Sequence, residues 1–244
     1  MSLASAPGHS ERGNRIGGGY VHLRMELHDR EIIYVGDPMC SWCWGIAPEL
    51  DELAEQRGDL PFRVVVGGLR PGPNAVEVDD RMAASLDHHW QSVAERSGQP
   101  FDRTLLDRRG WRYDTEPACK SVVVMRELDE TLAWPLFKRI QRLFYAEGVV
   151  PLGREELGPV IDEYDVDTET YWRLFESDAA TKSTWQDFAQ VHKWGIGGFP
   201  TVVFRDGNQG HLITRGYAKA DLMLAALDQV APVDGEMCGP DGIC

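Results

Sequence analysis

A junction between a strand and a helix restricts this chain more than any other feature of its sequence. Glu31 to Gly36 (EIIYVG) is a short β-branched and aromatic run, the composition of a buried strand, and it ends at Asp37-Pro38. Cys40-Ser41-Trp42-Cys43 follows at once. From Ser41 the apolar residues Ile46, Leu50 and Leu53 recur on one helical face, which predicts a helix to about Arg57 with Gly58 as its stop. Phe62 to Gly68 (FRVVVGG) is a second apolar run without alternation, as expected of a strand covered on both faces. The three segments form a βαβ unit, and the two cysteines sit where its first strand hands over to its helix.

That placement suggests the chemistry. Unpaired amides and the positive dipole end of a helix favour a thiolate over a thiol in its first turn, so Cys40 is the expected attacking thiol. Cys43 lies one turn later, close enough to close a small disulfide ring. It points into the βαβ core and is the expected resolving thiol of a mixed disulfide. Half of a zinc site, or two incidental core thiols, are the other readings. Zinc needs two further ligands, and the nearest histidines, His28, His88 and His89, show no ligand spacing, so no metal is expected. A C-x-x-C beside a βαβ pattern is the context of a redox pair.

Between Pro71 and about Trp194 the periods turn helical. Met82, Leu86, Trp90 and Val93 mark one amphipathic helix. Ala118, Val122 and Met125 mark another, with Thr115 as its N-cap and Pro117 in its first turn. Phe137, Ile140 and Phe144 mark a third, and Trp185, Phe188, Val191 and His192 a last one before Gly195. Pro200 to Arg205 and His211 to Arg215 then read as two strands joined across Asp206 to Gly210, and Leu222, Ala226 and Leu227 as a closing helix. A βαβ unit, an insertion and a ββα unit is the element order of a thioredoxin-like α/β fold. The expected organisation is a leader without structure over 1–30, a thioredoxin-like domain over 31–70 and 195–230, a large all-helical insertion over 71–194, and a flexible cysteine-containing tail over 231–244.

Charge and composition exclude other classes. A formal net charge of −14 without a Lys/Arg stripe repels phosphate backbones, so neither nucleic acid nor an anionic membrane is an expected partner. No apolar run approaches the roughly 20 residues that span a bilayer. The first thirty residues hold no apolar block ahead of a cleavage site, which makes the cytoplasm the expected compartment. Five cysteines, an odd number, do not suggest a structural disulfide framework there.

Cys43-Trp44-Gly45-Ile46-Ala47-Pro48 looks like the first helix of thioredoxins, with a proline five residues after the second cysteine. The whole segment from Asp37 to Gly45 resembles the cytoplasmic branch of the DsbA family, which includes FrnE-like proteins and predicted protein-disulfide isomerases. The resemblance spans roughly Glu31 to Val230 and implies a thioredoxin fold carrying a helical insertion. It also implies exchange of disulfides with protein substrates and an unidentified redox partner. No cofactor is implied beyond the redox-active disulfide, with glutathione or another thiol as a co-substrate.

In Gly198-Phe199-Pro200-Thr201, Pro200 matches the family's cis proline that faces the C-x-x-C, and Phe199 is then the residue on the substrate side. A proline that merely opens an edge strand is the plainer reading. Asp37 is placed either to relay protons to the thiols or to cap its own loop. Trp42 and Trp44 offer apolar surface to a substrate, or pack against the insertion. Cys119 reads as a small core residue, or as a third redox thiol. Cys238 and Cys244 bracket a Gly-Pro-Asp-Gly loop and could form a second redox pair, as the C-terminal pair of FrnE-like proteins does. Here five residues intervene rather than that family's four, and a tail without function is the alternative. The same fold with its insertion also resembles 2-hydroxychromene-2-carboxylate isomerases and kappa-class glutathione transferases, which activate the sulphur of glutathione. Those typically carry Ser where this chain has Cys40. A non-catalytic chaperone using the Trp-rich surface is a third reading, in which holdase activity would survive loss of both thiols.

Overall fold

The computed structural model describes residues 28–232. Its first strand, β1 (Arg30–Gly36), leads into helix α1 (Ser41–Gln56) and strand β2 (Phe62–Val66). The insertion that follows holds β3 (Val76–Glu77), α2 (Asp80–Ser97), β4 (Arg112–Tyr113), α3 (Glu116–Leu128), α4 (Ala133–Tyr145), α5 (Arg154–Ile161), α6 (Thr168–Phe175) and α7 (Asp178–Lys193). The chain closes with β5 (Thr201–Asp206), β6 (Gln209–Arg215) and α8 (Ala220–Val230).

The main sheet has the order β2-β1-β5-β6, with β1 parallel to β2 and antiparallel to β5. Val35 is in register with Val65 on one side and with Thr201 on the other, so β1 is central and buried on both faces. That explains a strand without polar alternation. Ile32 and Tyr34 face the large core built by α1, α8 and the insertion, whereas Ile33 and Val35 face a smaller cluster closed by Val191 of α7. The βαβ unit, the β5–β6 hairpin and the closing helix therefore stand where the periodicities put them. The hairpin turn is tighter than expected, only Gly207-Asn208, because both strands extend further than their apolar runs.

Local patterns described the insertion less completely. Beside its helices it contains one antiparallel pair, β3 with β4, two residues on each strand and too short to show a period. Helices α5 and α6 have eight residues each, and α5 contains Pro159, so neither stands out by periodicity. In α7 the buried face runs through Ala180, Ser183, Thr184, Asp187, Phe188 and Val191, whereas Trp185 is 37% exposed. Of the expected face Phe188 and Val191 are buried, but Trp185 and His192 are exposed, so the face is rotated toward the polar Ser183, Thr184 and Asp187.

What turns that face inward is an ion pair. Arg126 of α3 donates to both oxygens of Asp187, at 2.8 and 3.1 Å, with both side chains buried. Asp187 accepts from Val66 N at 3.2 Å, and Arg126 donates to Val64 O at 2.8 Å. Strand β2 is an edge of the sheet, and these contacts satisfy the outward backbone groups that would otherwise invite another strand. At the other end of the unit, the buried Arg57 donates to Asp59 at 3.0 Å, Asp228 at 3.3 Å and Ala231 O at 2.9 Å, fastening the end of α1 to that of α8. Asp187→Ala leaves Arg126 buried without its counter-charge and is expected to lower the unfolding free energy by about 3–5 kcal/mol in denaturant titration. A loss below about 1 kcal/mol, the size of an exposed pair, would contradict this account of the edge.

Candidate functional site

The site forms where β1 ends, α1 begins and β5 starts. Cys40 is the N-cap of α1, with extended backbone (φ −93°, ψ 119°), and its carbonyl accepts the first helical bond from Trp44 N at 3.0 Å. Its side chain is 7% exposed and that of Cys43 is fully buried, the order expected of an outer and an inner thiol. Both stand as free thiols. The Phe199-Pro200 peptide bond is cis, and Cys40 Sγ donates to Phe199 O at 3.7 Å. Phe199 itself turns its ring onto the backbone of Gly67. A Cβ at position 67 would lie 2.1 Å from that ring, so this approach requires glycine.

The two tryptophans separate. Trp44 is buried against the insertion, stacked on Tyr145 at 6.3 Å and donating its indole N–H to Pro100 O at 3.0 Å. Trp42 is half-buried and lines a groove of about 390 Å³ with Arg96, Phe199, Gly216 and Tyr217. Trp42 and Tyr217 lie 6.1 Å apart, and the Arg96 guanidinium sits 5.4 Å above the Tyr217 ring. Arg96 and Tyr217 escaped the sequence reading because their contacts are made across three separate elements.

A family model for the DSBA-like thioredoxin domain matches residues 31–228. The chain belongs to that family. Among solved DsbA-like structures, a candidate protein disulfide isomerase from Nitrosomonas europaea is 32% identical with a TM-score of 0.76, covering 82% of this chain and 96% of its own. The cytosolic disulfide reductase DsbM from Pseudomonas aeruginosa is 23% identical with a TM-score of 0.67, over 82% and 98% of the two chains. A probable DsbA oxidoreductase from Streptomyces coelicolor is 19% identical with a TM-score of 0.64, over 88% and 98%. No curated protein sequence matches. The chain carries its insertion between the two halves of its thioredoxin-like domain.

Asp37, three residues before Cys40, is fully buried. Its Oδ1 accepts from Met39 N at 2.8 Å and its Oδ2 from Leu69 N at 2.6 Å. Cys119, also fully buried, donates its Sγ–H to Oδ2 at 3.4 Å. Thr115, expected as a helix cap, makes no cap bond. Its hydroxyl accepts from Arg70 N at 3.1 Å, so a tertiary demand overrode the local one. Asp37 thus caps its loop and Cys119 packs in the core, each in direct contact with the other. Burial raises the carboxyl of Asp37 above its ordinary range against the opposing effect of these donors. Burial also raises Cys119, with the Asp37 carboxylate adding to it, and raises Cys43, where neighbouring Cys40 adds to the effect. Cys238 and Cys244 lie outside the described residues. Among those residues no group of three or more His, Cys, Asp or Glu could hold a metal ion, and no helix is long and apolar enough to cross a membrane.

The raised carboxyl of Asp37 implies a pH dependence of stability. The folded protein keeps the Asp37 proton to higher pH than the unfolded chain, so ionisation costs stability as pH rises from about 4 through the raised folded value. Asp37→Asn lacks this cost. In denaturant titrations across pH, the stability difference between variant and parent is expected to move toward the variant as pH rises through that window. A difference that stays flat or moves the other way would show that the donors around Asp37 outweigh its burial.

Proposed function

We propose that the protein is a thiol–disulfide oxidoreductase that acts on protein substrates through Cys40 and Cys43. One observation carries this reading: Cys40, 7% exposed, lies beside the backbone carbonyl of Phe199, while Cys43, one helical turn further on, is fully buried. The outer sulphur attacks a substrate disulfide and forms a mixed disulfide. The inner one then attacks Cys40 and releases the substrate as a thiolate, completing exchange. The groove beside Cys40 supports a polypeptide substrate, since Trp42, Phe199 and Tyr217 offer apolar and aromatic surface and Arg96 a positive charge. Glutathione or another small thiol would restore the pair, and the work is assigned to the cytoplasm, where the named relative DsbM acts.

Two variants test the assignment. Cys40→Ser is expected to abolish turnover of scrambled ribonuclease or insulin. Cys43→Ser is expected to accumulate a mixed disulfide at Cys40 with substrate or glutathione, visible by mass spectrometry, because the resolving attack is gone. Retention of most turnover by the Cys40→Ser protein would move the active site elsewhere, with Cys119 and the Cys238/Cys244 tail as the next thiols to replace.

A further inference from the structure

The groove beside the cis proline carries a charge that the exchange of thiols does not use. Of the residues that line it, Trp42, Arg96, Phe199, Gly216 and Tyr217, Arg96 is charged and none is acidic. Two contacts tie this groove to the outer thiol. Cys40 Sγ lies 3.7 Å from Phe199 O, and Pro200 O accepts from Gly216 N, the residue before Tyr217, at 2.8 Å. Gly216 adds no side chain, and a Cβ there would meet nothing within 4 Å, so the groove stays open between Phe199 and Tyr217. Arg96 reaches it from the last turn of α2, with its guanidinium 5.4 Å from the centroid of the Tyr217 ring. Tyr217 is fixed in turn, because its hydroxyl donates to Glu49 Oε1 at 3.1 Å. The Glu49 carboxylate is already matched, by Lys219 Nζ at 2.6 Å on the same oxygen and by Ala220 N at 3.0 Å on the other. Arg96 forms no ion pair or hydrogen bond with any described residue. The helix dipole favours a cation in a last turn, which accounts for a charge at this position but not for its lying over a wall of the groove. In a chain of net charge −14, the groove thus presents a guanidinium without a counter-charge.

We propose that Arg96 is a specificity-determining residue that selects polypeptide substrates carrying an acidic side chain beside the reactive sulphur. The proposal deepens the reading of Cys40 and Cys43 as the exchange centre and rests on it. An extended segment advances about 3.3 Å per residue, so one whose sulphur meets Cys40 can run past Phe199 into the groove within a few residues. Its apolar side chains then pack on Trp42 and Tyr217, and a carboxylate among them meets the guanidinium. Arginine suits this task, because its planar fork binds a carboxylate through two parallel hydrogen bonds. A lysine or arginine at the same place in the substrate meets a like charge instead, so Arg96 works by exclusion as well as by attraction.

The test uses Cys43→Ser, which holds the mixed disulfide at Cys40 once it has formed. The probes are three peptides identical but for the two residues flanking a single cysteine: glutamate in one, glutamine in the second and lysine in the third. Each is activated as its 2-pyridyl disulfide. The Cys40 thiolate attacks the peptide sulphur, a Cys40–peptide S–S bond forms as the peptide–pyridyl S–S bond breaks, and the electron pair leaves on pyridine-2-thiolate. Rates are read on the Cys40 peptide by mass spectrometry of quenched samples. The quantity compared is the ratio of the glutamate to the lysine rate, from which any effect of the charges on the peptide sulphur cancels between protein variants. Adding Arg96→Gln is expected to lower that ratio about threefold or more, the size of an exposed ion pair lost in one complex and a like-charge contact relieved in the other. Arg96→Glu is expected to lower it further and Arg96→Lys to keep most of it, and the difference between Arg96 and Gln is expected to shrink as salt is raised. A residue that only packs on Tyr217 leaves the ratio unmoved. If the ratio is the same with Arg, Gln and Glu at position 96, the proposal falls while the redox assignment stands. If Cys40 forms a mixed disulfide with none of the three peptides, both fall.

Discussion

The buried carboxyl of Asp37 is where three separate stretches of chain meet, and the geometry of the cysteines depends on it. One oxygen fixes Met39, the residue before Cys40, and the other fixes Leu69 where the insertion leaves the sheet, together with Cys119 on α3. Tyr113 adds a bond from its hydroxyl to Met39 O, so the loop in front of Cys40 is held by the insertion as well as by its own strand. A polar group taken out of water must be matched by donors, and here each donor belongs to a different part of the fold. The insertion therefore sets the position of Cys40 and is not merely a cap over it.

The same logic governs the sheet. A central strand buried on both faces can be wholly apolar, but its parallel neighbour β2 is an edge and needs partners for its outward amides and carbonyls. Arg126 and Asp187 meet that need from two helices of the insertion. Burying this pair is costly and its worth as a stabiliser is small, but with both charges matched and the backbone groups satisfied it specifies how α3 and α7 dock on β2.

The thiols sit in unequal surroundings. Cys40 keeps a slight exposure, and its sulphur touches the carbonyl of Phe199, the residue before the cis proline and one that lines the groove of Trp42 and Tyr217. Cys43 is sealed among Tyr34 and the α1 core, where an anion is penalised. The difference in burial, one helical turn apart, separates an outer from an inner thiol without any difference in residue type.

Short-range physics made much of this legible in advance. The apolar run of β1, the 3.6-residue period of α1 and the turn chemistry between β5 and β6 are properties of neighbouring residues, and they placed Cys40 and Cys43 at a strand–helix junction opposite Pro200. Helices of eight residues and a two-residue strand pair carried too little period to be seen. The partners of Asp37 and Asp187 could not be read at all. Leu69 stands 32 residues from Asp37, Cys119 82 residues from it, and Arg126 61 residues from Asp187. Such pairs exist only once the core has closed and stripped water from both members. The sequence by itself determined the redox-type motif and the order of elements around it, because these follow from local backbone and side-chain preferences. Tertiary structure alone decided which thiol is sealed and which carboxyl is buried, because burial is a property of the whole fold.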